Sequence, residues 1–252
     1  MDLKLKGKKV IVTGGSRGIG RAALESFAAE GCDVAFFSRD QKQLDEAVAS
    51  LKRHGTKVHA STFDLENFAG YAPWLTQAAD ALGGCDIFMP GASSSGARLG
   101  GDWNKAFEYD VLGTVRGCEA LLPYLEKSKS GSVVIMSSIA ALETFIAPSA
   151  FNAVKAALLT YAKQLSQAWG AKGIRVNAIS PGPIAFPTGN WERIQANVPD
   201  LHRATAAQIV LGRFGTPEDV AQAIVFLASP VSAFTTGANL VIDGGYTKRV
   251  QF

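Results

Sequence analysis

The chain has 252 residues, 47% hydrophobic and 19% charged, with 25 basic and 22 acidic side chains and a formal net charge of +3. A balance so mild, with its basic residues scattered, gives no footing for nucleic acid or an anionic membrane as partner, and a chain of this length buries a core without disulfides or metals. Cys32, Cys85 and Cys118 are too few and too widely spaced for a disulfide framework and fit a reducing cytoplasm; His54, His59 and His202 lack ligand spacing, so no metal is expected; neither a signal peptide nor a membrane span is legible.

Short apolar runs alternate with longer helical periods. Lys9–Thr13 is a predicted strand ending in glycines, and Gly18–Glu30 repeats apolar residues at helical spacing. Asp33–Ser38 is a second strand and Gln41–Arg53 an amphipathic helix stopped near Gly55. Strand Lys57–Phe63, helix Asn67–Leu82 and strand Asp86–Met89 follow, then a long helix over Trp103–Leu125 and strand Ser132–Ser137. Helix Ser149–Trp169, strand Ile174–Ile179, helix Pro217–Ala228 and strand Asn239–Ile242 complete the order. Strands alternating with helices imply parallel βαβ units, hence an α/β, Rossmann-type, doubly wound parallel sheet. No linker divides the pattern, so one domain is expected over 1–252. Pro181–Thr205 is rich in Pro, Gly and Asn with weak periodicity, and reads as an irregular lid extending over about 181–210.

The first strand runs into Thr13-Gly14-Gly15-Ser16-Arg17-Gly18-Ile19-Gly20 and then a helix, the context that a dinucleotide loop requires. Gly14 is suited to a positive φ, Gly18 to close approach of a pyrophosphate, and Gly20 to close packing of helix on sheet. The helix N-terminus offers free N–H groups to phosphates. The second strand ends in Ser38-Arg39, with Arg17 in the loop. Two guanidiniums and a hydroxyl suit a ribose 2′-phosphate, which favours NADP(H) over NAD(H). The competing reading pairs Arg39 with Asp40 or Glu46.

In mid-chain, Ser138 stands 13 residues before Phe151, and Phe151 four before Lys155. With the glycine loop, this pattern resembles the short-chain dehydrogenase/reductase family, whose site is Ser…Tyr-x-x-x-Lys. Asp64-Leu65 is similar to the family's adenine-contacting position. Gly91 lies in Pro90-Gly91-Ala92-Ser93, where the family usually has Asn-Asn-Ala-Gly. Pro181-Gly182-Pro183-Ile184, with Thr188 beyond, resembles the segment that contacts the nicotinamide. Arg213–Val220 and Ile242–Gly245 match the family's lead-in to the last helix and its closing strand.

The resemblance implies hydride transfer between a nicotinamide and a carbonyl or alcohol carbon, on a small-molecule substrate, in a homodimer or homotetramer packed through the two long helices. It also implies that serine orients the carbonyl oxygen, tyrosine moves the proton, lysine tunes the tyrosine and holds the ribose, and an asparagine supports a water relay. Ser138 and Lys155 match. Phe151 cannot transfer a proton, and the asparagine position is Asp110. Three readings follow: a tyrosine replaced to trap a complex, a natural chain with another proton donor, or a cofactor-binding protein without turnover. A non-redox lyase or hydrolase reusing Ser138 and Lys155 is a further rival. A replacement relay would run from Asp110 or Glu143 to Lys155 through water; otherwise Asp110 serves only as a local cap or pair. Tyr109 is expected to point away from the relay, and Tyr161 to lie too far along its helix. Phe145, Phe186 and Trp191 fall where a pocket for an apolar or aromatic substrate is expected, or else pack the lid. Ser93, Ser94 and Ser95 form a polar loop that faces substrate or simply turns.

Overall fold

The computed structural model describes residues 2–93, 102–144 and 148–250; Ser94, Ser95 and Phe145 lie outside them. Seven parallel strands form one sheet in the order β3-β2-β1-β4-β5-β6-β7. They are β1 Lys9–Thr13, β2 Asp33–Ser38, β3 Val58–Thr62, β4 Ile87–Pro90, β5 Ser132–Met136, β6 Arg175–Pro181 and β7 Asn239–Ile242. The order reverses between β1 and β4, and in open parallel sheets the crevice at that point, outside the carboxyl ends of the strands, is where ligands bind.

Period-two alternation explains why both faces are covered. In β1, Val10 and Val12 enter one apolar cluster and Ile11 the opposite one; in β2, Val34 and Phe36 part company with Ala35 and Phe37 in the same way. The first cluster is closed by α1 (Gly18–Ala29), α2 (Gln41–Leu51) and α9 (Pro217–Ala228), with α1 packed along α9. The second is closed by α3 (Phe68–Leu82), α5 (Gly113–Lys127) and α6 (Ala150–Trp169). Gly55, at φ 73°, ends the turn after α2, and Asn67 and Ser149 cap α3 and α6 with their side chains.

Two elements differ from the expectation. The helix expected over Trp103–Leu125 is α4 (Trp103–Ala106), a π-helical turn Phe107–Leu112, and α5. Asp110 is the one buried residue of the π turn. The expected irregular lid contains two helices, α7 (Asn190–Asn197) and α8 (Pro199–Ala206). Their periodicity is faint because each buries a single residue, Trp191 and Thr205 respectively.

α9 starts at a capping box: Thr216 accepts from the Asp219 N–H, and Asp219 accepts from the Thr216 N–H at 2.7 Å. Arg213 adds two bonds to the Asp219 carboxylate, at 2.6 and 2.9 Å, and holds it well below the usual carboxylate range. Asp219→Ala is expected to cost about 1 kcal/mol in urea unfolding, because the box is partly solvent-screened. The contribution of a carboxylate lowered in the folded state is complete above its ordinary range and fades as the pH falls through and below it. The gap between the variant and the parent chain should therefore close in acid.

Candidate active site

The carboxyl ends of β1, β2, β4, β5 and β6 open onto a cavity of about 430 Å³. Its walls include every residue that sequence assigned to the cofactor: Gly14, Ser16, Arg17, Gly18, Ile19 and Gly20 from the loop, Ser38 and Arg39 from β2, Asp64 and Leu65 after β3, Gly91, Lys155, and Pro181, Gly182, Ile184 and Thr188 beyond β6. Ser138 and Phe151 line it as well, whereas Asp110 is buried behind Lys155.

The phosphate loop is built as its glycines predict. Gly14 has φ 75°, and a Cβ on Gly20 would stand 2.2 Å from the Gly14 carbonyl oxygen, so only glycine lets α1 start this close to the loop. The space beside Gly18 is taken by the Phe186 ring, 2.7 Å from where a Cβ would be. Arg17 and Arg39 make no side-chain hydrogen bond or ion pair with the described residues. Asp40, the expected rival partner of Arg39, instead caps α2 through Gln43 N. Uncommitted guanidiniums beside a glycine cradle fit a phosphorylated dinucleotide.

At the other end, Lys155 is held three ways. Its Nζ lies 3.0 Å from Asp110 Oδ1, with side-chain exposures of 6% and 1%, donates to the Met136 carbonyl at 3.1 Å, and stands 5.6 Å from the Phe151 ring centroid. Ser137 Oγ donates to the Lys155 carbonyl at 2.9 Å and fixes the backbone of α6 there. Ser138 caps the short turn Ile139–Ala141, accepting from Ala140 N. Of the two relay arrangements that sequence left open, Asp110 makes the local pair, in direct contact with Lys155 and with no intervening water needed. Glu143 is elsewhere: it accepts from Lys248 N and lines a separate cavity with Gln208 and Tyr246.

Tyr109 lines the main cavity at the end near Asp64 and Glu66, away from Lys155 as expected. Tyr161 packs in the core, where burial pushes its phenol up. Phe186, Trp191 and Ser93 line the cavity, and so do Asn152 and Arg193, to which sequence gave no site role. Thr188, a β-branched residue, sits at φ 63° and donates its N–H to the Glu192 carboxylate, a strained backbone held at the cavity wall. Among the described residues no cluster of three or more His, Cys, Asp or Glu is placed to hold a metal, and no helix is long and apolar enough to cross a membrane.

A family profile described as enoyl-(acyl carrier protein) reductase matches residues 14–247. The chain belongs to the short-chain dehydrogenase/reductase family. Among its relatives, it is 36% identical to isoepoxydon dehydrogenase of Aspergillus clavatus, over 98% of each chain. It is 32% identical to a 3-oxoacyl-(acyl-carrier-protein) reductase of Chlamydia pneumoniae, over 98% of this chain and all of that one. Among solved structures, L-sorbose reductase from Gluconobacter frateurii, complexed with NADPH and L-sorbose, superposes with a TM-score of 0.89 at 29% identity, covering 99% of this chain and 100% of that one. The protein is thus an oxidoreductase of the family's type, acting on alcohol and carbonyl groups.

Proposed function

We propose that this chain is an NADP(H)-dependent oxidoreductase of a small carbonyl/alcohol pair, with Phe151 standing where the family's proton-relay tyrosine stands. The observation that carries it is the single cavity joining a glycine loop and two arginines, uncommitted among the described residues, at one end to Ser138, Phe151 and Lys155 at the other. When bound there, a nicotinamide supplies or accepts the hydride. Arg17, Arg39 and Ser38 would take the 2′-phosphate, and Asp64 and Leu65 the adenine. Ser138 Oγ would orient the carbonyl oxygen, and the Lys155 ammonium would provide positive charge beside it. Phe151 and Trp191 give the substrate end aromatic walls, which favours an apolar or aromatic substrate over a strongly charged one. That a relative in structure carries NADPH supports the cofactor choice.

Arg39→Ala is expected to weaken NADPH about 10–100-fold, since charge-assisted bonds are worth about 1.5–3 kcal/mol. NADH affinity should change less than threefold or so, because no 2′-phosphate is lost. Fluorescence titration with both cofactors reads this, and equal losses for NADPH and NADH would defeat the assignment.

Phe151, with the Lys155 charge already met by Asp110, also favours a second reading, a protein that binds NADPH without turning it over. We further read the chain as one domain with a lid over about 181–210, as cytoplasmic on the strength of three buried free thiols, and as a homodimer or homotetramer. Exposed Trp103 and Phe107, one helical turn apart on the long-helix face, support assembly.

A further inference from the structure

Carbonyl reduction leaves negative charge on oxygen that a proton must quench, and Phe151 has none to give. Among the described residues, the polar groups nearest Phe151 can be weighed against one another. Ser138 Oγ accepts from Ala140 N and is a weak acid, and the Asn152 side chain is an amide. Tyr109 lies at the far end, beside Asp64 and Glu66. Lys155 remains. An ammonium has three donors; one is given to the Met136 carbonyl, a second side faces Asp110, and the third has no acceptor among the described residues. Nζ stands 5.6 Å from the Phe151 ring centroid, so the ammonium and the ring share this end of the cavity.

We propose that Lys155 itself is the proton donor for reduction in this chain, with Asp110 as the positioning residue that holds the ammonium at the ring. The proposal rests on the oxidoreductase reading above. The carbonyl carbon accepts the hydride pair from the reduced cofactor and forms a C–H bond, and the C=O π pair moves to oxygen. An N–H bond of Lys155 breaks as the O–H bond forms, directly or through a water. The neutral amine then regains a proton from solvent in the cavity. The cofactor is oxidised, the carbonyl reduced, and the net proton comes from water.

The elements around α6 carry few other charges that bear on this group. β5 and Ile139–Ala141 have no ionisable side chain. Arg175 of β6 is tied to the Leu227 and Ala228 carbonyls, Lys105 of α4 pairs with Glu66, and the π turn adds Glu108 and Tyr109 to Asp110. Of these, Asp110 is the one within ion-pair distance of Lys155.

The test pairs reduction rates across pH with ¹⁵N NMR of the Lys155 Nζ in the cofactor-free, lysine-labelled chain, its resonance identified by its loss in Lys155→Arg. The acid is active when protonated, so the rate should be level at low pH and fall about tenfold per pH unit above one alkaline limb. Asp110→Asn removes the negative charge beside the ammonium, and should move the limb and the Nζ titration to lower pH together. Lys155→Arg should bind NADPH yet lose about 100-fold or more in turnover and show no such limb. A limb that stays put in Asp110→Asn while the Nζ titration moves would overturn the proposal, as would parental turnover in Lys155→Arg. Should Lys155→Arg not fold, the Nζ resonance is identified as the lysine signal that Asp110→Asn moves, and the Asp110→Asn limb against that titration decides. If the parent chain is inert and Phe151→Tyr turns over, the Lys155 donor is wrong and the oxidoreductase reading stands. If neither turns over, both fall.

Discussion

Phe151→Tyr is expected to raise kcat/KM for NADPH-dependent carbonyl reduction by about 10–100-fold, less than the full 10²–10⁴-fold worth of a positioned general acid because Lys155 already donates in the parent chain. The ring lines the cavity, so a phenolic hydroxyl enters open space and displaces no core atom. It would share this end of the cavity with Ser138 and with the Lys155 ammonium, whose charge favours the phenolate form. Stability should change by less than about 0.5 kcal/mol, since no packed contact is removed. A variant that binds NADPH like its parent and reduces no carbonyl faster would mean that position 151 does not face the reacting oxygen.

Lys155→Met is expected to destabilise the chain by about 3–5 kcal/mol, because it removes the ion-pair partner of a carboxylate in a nearly inaccessible site. Asp110→Leu should cost a comparable amount by stranding the ammonium. The double variant Lys155→Met with Asp110→Leu should recover most of the loss, since apolar groups of similar volume replace a buried pair at little cost. Chemical denaturation of the four chains gives the coupling directly. Additive losses in the double variant would show that the two side chains are not paired in solution.

The fold was legible because the sheet is buried on both faces. Runs such as Val10-Ile11-Val12 and Val133-Val134-Ile135 must be strands, and the bounds of α9 and β7 coincide with those read from sequence. The cofactor end was equally legible, since loop glycines and strand-end residues act through local backbone geometry. What was hidden depends on tertiary context. Phe107–Leu112 has the composition of an ordinary helix, so nothing in it announces a π turn. Asp110 and Lys155 lie 45 positions apart, and their direct pairing follows from that turn meeting α6. The α7 and α8 helices escaped because exposed helices with one buried residue each have almost no apolar period. The seat of Phe186 on Gly18 is a contact between segments far apart in the chain.

The most direct measurement uses NADPH deuterated at the transferable nicotinamide position, incubated with the unaltered chain and Phe151→Tyr and a panel of ketones, aldehydes and sugars. Mass spectrometry of the alcohols should find one deuterium on the former carbonyl carbon, in step with NADPH consumed, and more product from the tyrosine form. NADPH that binds both chains yet passes deuterium to no carbonyl in either would contradict an oxidoreductase function.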